Sequence, residues 1–332
     1  MNKPRLILIA LLLLVLNACV TLRGSQILAT QTPTALIPPM FETPVQPSAI
    51  PPTPAVQSAS ETPVQPTLIP PTTQFELNEA LLRNMTYHSP YLNILVTLQE
   101  GQYRLSNDAG TQTVDMLSRI AFGDLNGDGL NDAAVLLAEN GGGSGTFVSL
   151  VAILNQNGQA VQAGSILVDD RPRINSLSIS NRQIVLDGVI HSLSDTLSNP
   201  TIPALQTYLL DETGLQRVSL TSPTPSGGVH AIAITSPGWG ERVTGSVRVI
   251  GEMPIGPFEN NLLYQLVDAA GNVLDARGFM VQSDGAGGPA SFNNTINLPA
   301  LTSGQIVWLE LKELSMADGS PIAVASVKLI VE

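Results

Sequence analysis

Residues 261–280, NLLYQLVDAAGNVLDARGFM, and residues 305–331, QIVWLELKELSMADGSPIAVASVKLIV, decide the fold. Each holds two apolar runs of strand length, rich in Leu, Val, Ile, Tyr and Trp, separated by a few turn-forming residues. The turns contain Ala270-Gly271-Asn272 and Asp318-Gly319, residue types that tolerate a left-handed backbone. AIAITSP (231–237), ERVTGSVRVIGEMP (241–254) and ASFNNTINLP (290–299) add further runs of the same kind. About seven short strands with no helical stretch predict an immunoglobulin-like β-sandwich over 230–332.

Upstream, ILVTL, AAVLLAEN, GTFVSLVAILNQNGQ, INSLSI, RQIVLDGVI and LQTYLLDETGLQRV are also strand-like, and Asn157-Gly158 marks a hairpin turn. One short helix is expected in ELNEALLRNMTY from the spacing of Leu77, Leu81, Leu82 and Met85. The fold class is therefore mainly β: an α+β or β domain at 75–221, a linker SPTPSGG within 222–229, and the sandwich.

Before residue 75 the composition changes. Residues 26–74 carry twelve of the chain's 25 prolines, and ETPVQPSAIPPT (Glu42 to Thr53) returns as ETPVQPTLIPPT (Glu61 to Thr72). Such a stretch buries too little apolar surface to fold and favours extended polyproline II, at about 3.1 Å per residue. It reads as a spacer, with a docking site for a proline-binding module as the rival reading. At the N-terminus, Lys3 and Arg5 precede an apolar run from Leu6 to Leu16. This has the layout of a signal peptide, 1–18, and falls short of the roughly 20 residues that span a bilayer.

Leu16-Asn17-Ala18-Cys19 resembles the bacterial lipobox, and Cys19 is the single cysteine in 332 residues. The resemblance implies lipid attachment at Cys19, anchoring to the extracytoplasmic face of a cell membrane, and 19–74 as a lipid-anchored stalk. A cleaved signal followed by an incidental cysteine is the alternative. With one cysteine no disulfide can form within the chain. The net charge of −12, from 15 Lys plus Arg against 27 Asp plus Glu, excludes nucleic acid as an expected partner, because phosphate binding needs a basic footprint.

The sharpest chemical signal is Asp124-Leu125-Asn126-Gly127-Asp128-Gly129-Leu130-Asn131-Asp132. Oxygen-bearing side chains at loop positions 1, 3, 5 and 9, a glycine at 6 and a main-chain carbonyl at 7 are the donors with which one loop wraps calcium. The expected ligands are Asp124, Asn126, Asp128 and Asp132 with the carbonyl of Leu130, holding a structural ion. An Asx-rich turn that binds nothing is the rival. Position 12 is Val135, so the loop is not an EF-hand. After Phe122-Gly123 it resembles the calcium loops of FG-GAP repeats, in a single copy that does not imply a propeller.

Other motifs promise less. Asn140-Gly141-Gly142-Gly143-Ser144-Gly145-Thr146 lacks the lysine and helix of a phosphate loop, and reads as a hairpin loop or the rim of a ligand site. His88, His191 and His230 are too dispersed for a zinc cluster. His191, Ser192, Ser194 and Asp195 hold the letters of a catalytic triad on one loop, where neighbours rarely attain its geometry.

Residues 230–332 resemble the immunoglobulin-like domain associated with bacterial spore-germination proteins. The resemblance rests on Ile234-Thr235-Ser236-Pro237-Gly238, Val249-Ile250-Gly251-Glu252, Phe258-Glu259-Asn260-Asn261, Asp268-Ala269-Ala270-Gly271 and Asp318-Gly319-Ser320-Pro321. It implies a β-sandwich in an envelope protein and carries over no catalytic residue. The GerMN domain often found beside that family is not what 75–220 looks like. FGDLNGDGLNDAAVLLAENGGGSGTF (122–147) resembles instead a domain of bacterial lipoproteins.

These readings combine into a non-catalytic envelope lipoprotein that binds or scaffolds another envelope protein or a cell-wall glycan. The alternative is a cell-wall or glycan-processing enzyme, or its inhibitor, using carboxylates of 124–132 or Asp169 and Asp170.

Overall fold

The computed structural model describes residues 75–332 apart from Ala109 and Ala286; the signal peptide, Cys19 and the proline-rich stalk lie outside the described residues. The chain is mainly β. Its first lobe runs through helix α1 (Glu79–Leu82) and strands β1 (Thr86–His88), β2 (Leu95–Thr97), β3 (Gln102–Asn107), β4 (Gly110–Gly123), β5 (Asp132–Asn140), β6 (Phe147–Gln156), β7 (Gln159–Asp170), β8 (Arg173–Ser180), β9 (Gln183–Ile190), β10 (Ile202–Asp211) and β11 (Gly214–Pro223). The second lobe follows with β12 (Val229–His230), β13 (Ala233–Ser236), β14 (Glu241–Val243), β15 (Ser246–Met253), β16 (Asn261–Asp268), β17 (Val273–Met280), β18 (Gln282–Ser283), β19 (Ala290–Asn297), β20 (Ile306–Leu314) and β21 (Pro321–Val331).

The helix is a single turn. Asn78 caps it by accepting a hydrogen bond from Leu81 N at 2.9 Å, and the Tyr87 hydroxyl donates to the Leu82 carbonyl at 2.8 Å. Met85 therefore packs from the connection to β1 and not from a second helical turn.

β3 to β7 form a five-stranded antiparallel meander. Its central strands explain why AAVLLA and VSLVAIL read as unbroken apolar runs and not as alternating ones: both faces of this sheet are covered. Ala133, Val135 and Leu137 pack with Leu82, Tyr87 and Leu98 beneath the short N-terminal elements. Ala134, Leu136 and Ala138 pack against Leu186, Tyr208 and Leu215 of β9 to β11. The β6–β7 turn has Asn157 at φ 52° and Gly158 at φ 76°, the left-handed pair that an Asn-Gly hairpin supplies.

The second lobe is a sandwich. One sheet runs β13-β15-β19-β18, and the facing sheet contains β17-β16-β20-β21, with β14 parallel to β21. Val249, Leu266, Phe292, Val307, Leu309 and Leu329 meet between them. Each fully buried side chain of this kind contributes roughly 1.5–3 kcal/mol.

The two lobes share a sheet. β21 pairs with β11 through Ser219↔Ala325 and Leu220↔Val324, so the order β17-β16-β20-β21-β11-β10-β9-β8 runs through both. Residues 222–229 are the end of β11, a turn closed by Thr224 N donating to the Gly228 carbonyl at 2.8 Å, and the start of β12. Ala204, Leu220 and Val324 form a small buried cluster at the join. Further along β21, Lys328 is buried with its Nζ 2.6 Å from Asp211 Oδ2 and 2.6 Å from Glu212 Oε1. Trp239 Nε1 donates to the same Asp211 oxygen at 3.1 Å. Burial, the largest influence, pushes the Asp211 carboxyl up, but hydrogen bonds from Lys328 and Thr213 together with the ammonium's charge hold it below its ordinary range.

Candidate functional site

The Asp124–Asp132 loop joins β4 to β5 at one end of the meander's strands. Gly123 opens it where β8 crosses: a methyl group there would lie 2.8 Å from Ile179 Cγ2. Gly127 and Gly129 stand at φ 85° and 82°, a region that costs other residues energy, which accounts for both glycines of Asn-Gly-Asp-Gly.

The four predicted side-chain ligands all accept hydrogen bonds from backbone N–H groups. Asp124 accepts from Gly127 N at 2.6 Å and from Gly129 N at 3.0 Å. Asn126 accepts from Asp128 N at 2.9 Å, and Asp128 accepts from Leu130 N at 2.8 Å. Asp132 is fully buried; it accepts from Leu125 N at 2.8 Å and across to β6 from Asn155 N at 2.9 Å. The arrangement is a set of Asx caps. Among the described residues, no group of three or more His, Cys, Asp or Glu is placed to hold a metal ion.

The electrostatics separate the acids. The Gly127 N–H, ahead of the other backbone donors and Arg182, holds the Asp124 carboxyl below its ordinary value. Desolvation pushes Asp132 up despite its two backbone donors, and Asp128 adds to the rise. Arg182 belongs to no motif in the sequence. It sits with Asn181 at the β8–β9 turn, both with positive φ (62° and 50°), and its guanidinium lies against Gly127: a methyl group on that glycine would be 3.2 Å from Arg182 Cζ. An arginine in a left-handed hairpin turn is a weak sequence signal, so this cation beside an acidic loop had to be seen in space.

Asp169 and Asp170 each engage neighbouring backbone and side chains. Asp169 Oδ2 accepts from His191 N at 2.6 Å and lies 2.9 Å from His191 Nδ1. Asp170 accepts from Thr146 N at 2.8 Å and pairs with Arg171 at 2.6 Å. The triad letters do not assemble: His191 Nε2 is buried with no hydrogen-bond partner, Ser192 and Ser194 bond each other at 3.0 Å, and Ser194 donates to Asp318 at 3.0 Å. The glycine loop is tied down by its first residue, since Asn140 Nδ2 donates to the Gly145 and Gly143 carbonyls, the latter at 3.0 Å. Its neighbours Tyr91 and Phe147 stack with ring centroids 4.1 Å apart.

No curated protein matches the chain. Residues 231–320 match the family described as the immunoglobulin-like domain of bacterial spore germination, so the second lobe resembles in sequence the immunoglobulin-like sandwich that it forms in structure.

Proposed function

We propose that the protein is a membrane-anchored scaffold of the bacterial envelope, exported by residues 1–18, lipidated at Cys19, and presenting its two lobes on the stalk 19–74 for binding another envelope protein or a cell-wall glycan. The observation that carries the reading is the β11–β21 pairing, which welds an immunoglobulin-like sandwich to a second β lobe through one sheet. Loops borne on a rigid sheet are where recognition residues are readily placed. The match of 231–320 to a spore-germination domain supports an envelope setting.

Calcium held by Asp124, Asn126, Asp128, Asp132 and the Leu130 carbonyl is part of the proposal. The donor chemistry and the left-handed glycines support it, while the Asx caps show that the loop has a closed form of its own. Binding would draw the acid oxygens from their backbone donors to the ion. The test is a calcium titration by calorimetry with parallel melts in EDTA, on wild type and on Asp124→Ala and Asp128→Ala. One ion bound, with a rise in melting temperature in wild type alone, supports the calcium reading; no heat and no shift in the melt removes calcium from it. Anchoring is tested separately by fractionating cells that express wild type or Cys19→Ser. Release of the variant alone from membranes is the expected result.

A further inference from the structure

The sandwich lobe contains a recess of 570 Å³ beside Phe258, Leu314 and Met316, with Glu313 and His230 in its wall. Strand register puts the acid there. β20 sends Val307, Leu309 and Leu311 into the core, and Glu313 is next in that alternate series, so a carboxylate takes an inward position at the strand's end. Glu313 is 4% exposed. Its Oε1 lies 3.0 Å from His230 Nδ1, without the alignment of a hydrogen bond, and its Oε2 is buried with no hydrogen-bond partner. Buried carboxylate oxygens are almost always paired, and an orphaned one marks a group that something else completes. The other charged side chain among the described wall residues is Glu259, a second acid. Phe258 and Met316, by contrast, are 57% and 67% exposed at the mouth.

We propose that this recess binds an organic ammonium group carried on an apolar body, a lysine side chain or a free alkylamine, with the ammonium on Glu313 Oε2 and the body against Phe258, Leu314 and Met316. An ammonium offers three donors and a charge, which makes the bond to a carboxylate about twice as strong as a neutral one. Glu259 and the chain's net charge of −12 favour approach of a cation over an anion. The recess lies within the roughly 300–1,000 Å³ range of small-ligand sites. An adjoining depression of 300 Å³, bounded by Leu263 and the same Phe258 and Met316, leaves room for a longer body.

The test uses the full-length chain with ¹³C-methyl methionine, reading the Met316 signal, assigned by its loss in Met316→Leu. Butylammonium chloride, N-acetyl-lysine methylamide, 1-butanol and sodium butyrate are titrated in turn. Saturable movement with either ammonium compound, and none with the alcohol or the carboxylate at equal concentration, is expected. Glu313→Gln is expected to weaken binding at least about tenfold. Tighter binding of the lysine amide assigns the site to a peptide side chain, and tighter binding of butylammonium to a free amine. Phe258→Ser alters an exposed side chain and is expected to weaken binding too, which keeps the test available if Glu313→Gln does not fold. Equal response to 1-butanol, undiminished binding in a folded Glu313→Gln, or no effect of Phe258→Ser overturns the proposal.

Discussion

Replacing Lys328 by Met probes the join between the lobes most directly. The side chains of Lys328 and Asp211 are 4% and 11% exposed and meet at 2.6 Å. At an effective dielectric of about 20 the attraction over that distance is about 6 kcal/mol, most of which desolvation of the two ions offsets. Glu212, 73% exposed, adds little in water. Met fills most of the space of the lysine stem but leaves Asp211 buried with only the Trp239 N–H and Thr213 as donors. Stranding a buried charge costs about 3–5 kcal/mol, and in a unit of this size about 3 kcal/mol lowers the melting temperature by about 6–12 °C. Replacing both partners, Lys328→Met with Asp211→Leu, removes the stranded charge and should return stability to within about 1 kcal/mol of wild type. Scanning calorimetry of segment 75–332 reads both effects. A single variant melting within about 2 °C of wild type, or a double variant no more stable than the single, would refute the assignment of a buried ion pair holding the lobes together.

Gly251→Ala should cost about 3 kcal/mol by urea unfolding, because a methyl group there lies 2.1 Å from the Ala233 carbonyl and 2.3 Å from Phe292 Cζ, and a backbone oxygen cannot swing aside. Asp132→Ala strands the Leu125 and Asn155 N–H groups and should cost about 3 kcal/mol even in EDTA. Exposed Asp128→Ala should stay within about 0.5 kcal/mol there; equal losses would contradict the separation of buried cap from exposed loop acid. The Glu313 carboxyl is pushed up by desolvation, which outweighs His230, so the folded state holds its proton more tightly than the unfolded one. Its contribution is full below the ordinary value of 4.5 and is lost as pH rises through the folded value. Glu313→Gln should therefore gain melting temperature over wild type progressively as pH rises above the ordinary value of 4.5; a constant difference would contradict the upward shift.

Strands and turns were legible where the physics is local. Asn157-Gly158 announces its hairpin because few other pairs accept two left-handed residues, and the continuous apolar run of β5 announces burial on both faces. The short helix expected from the spacing of Leu77, Leu81, Leu82 and Met85 is there as one turn, Glu79–Leu82, and Tyr87 lies under it with its hydroxyl on the Leu82 carbonyl. The join between lobes could not be read, since β11 and β21 lie about a hundred residues apart and nothing local states which edges will meet.

The residues that matter most here were visible in principle. β20 and β21 read as apolar alternations, and Glu313 and Lys328 each interrupt a buried phase with a charge. For Lys328 the interruption falls on the face opposite the sandwich core, the face that also carries Val324, where the other lobe brings Asp211 to meet it. For Glu313 it falls in phase with the sandwich core, where His230 lies 3.0 Å from one oxygen and the other, Oε2, has no hydrogen-bond partner among the described residues. A charge in the inward register costs stability unless a partner meets it. Where the fold supplies the partner, the charge fastens two elements together; where the fold leaves a buried oxygen unpartnered on a residue that lines a recess, the missing partner is sought outside the chain. The same departure from pattern thus separates a structural joint from a binding site, and the difference is readable only once the neighbours on the other sheet are known.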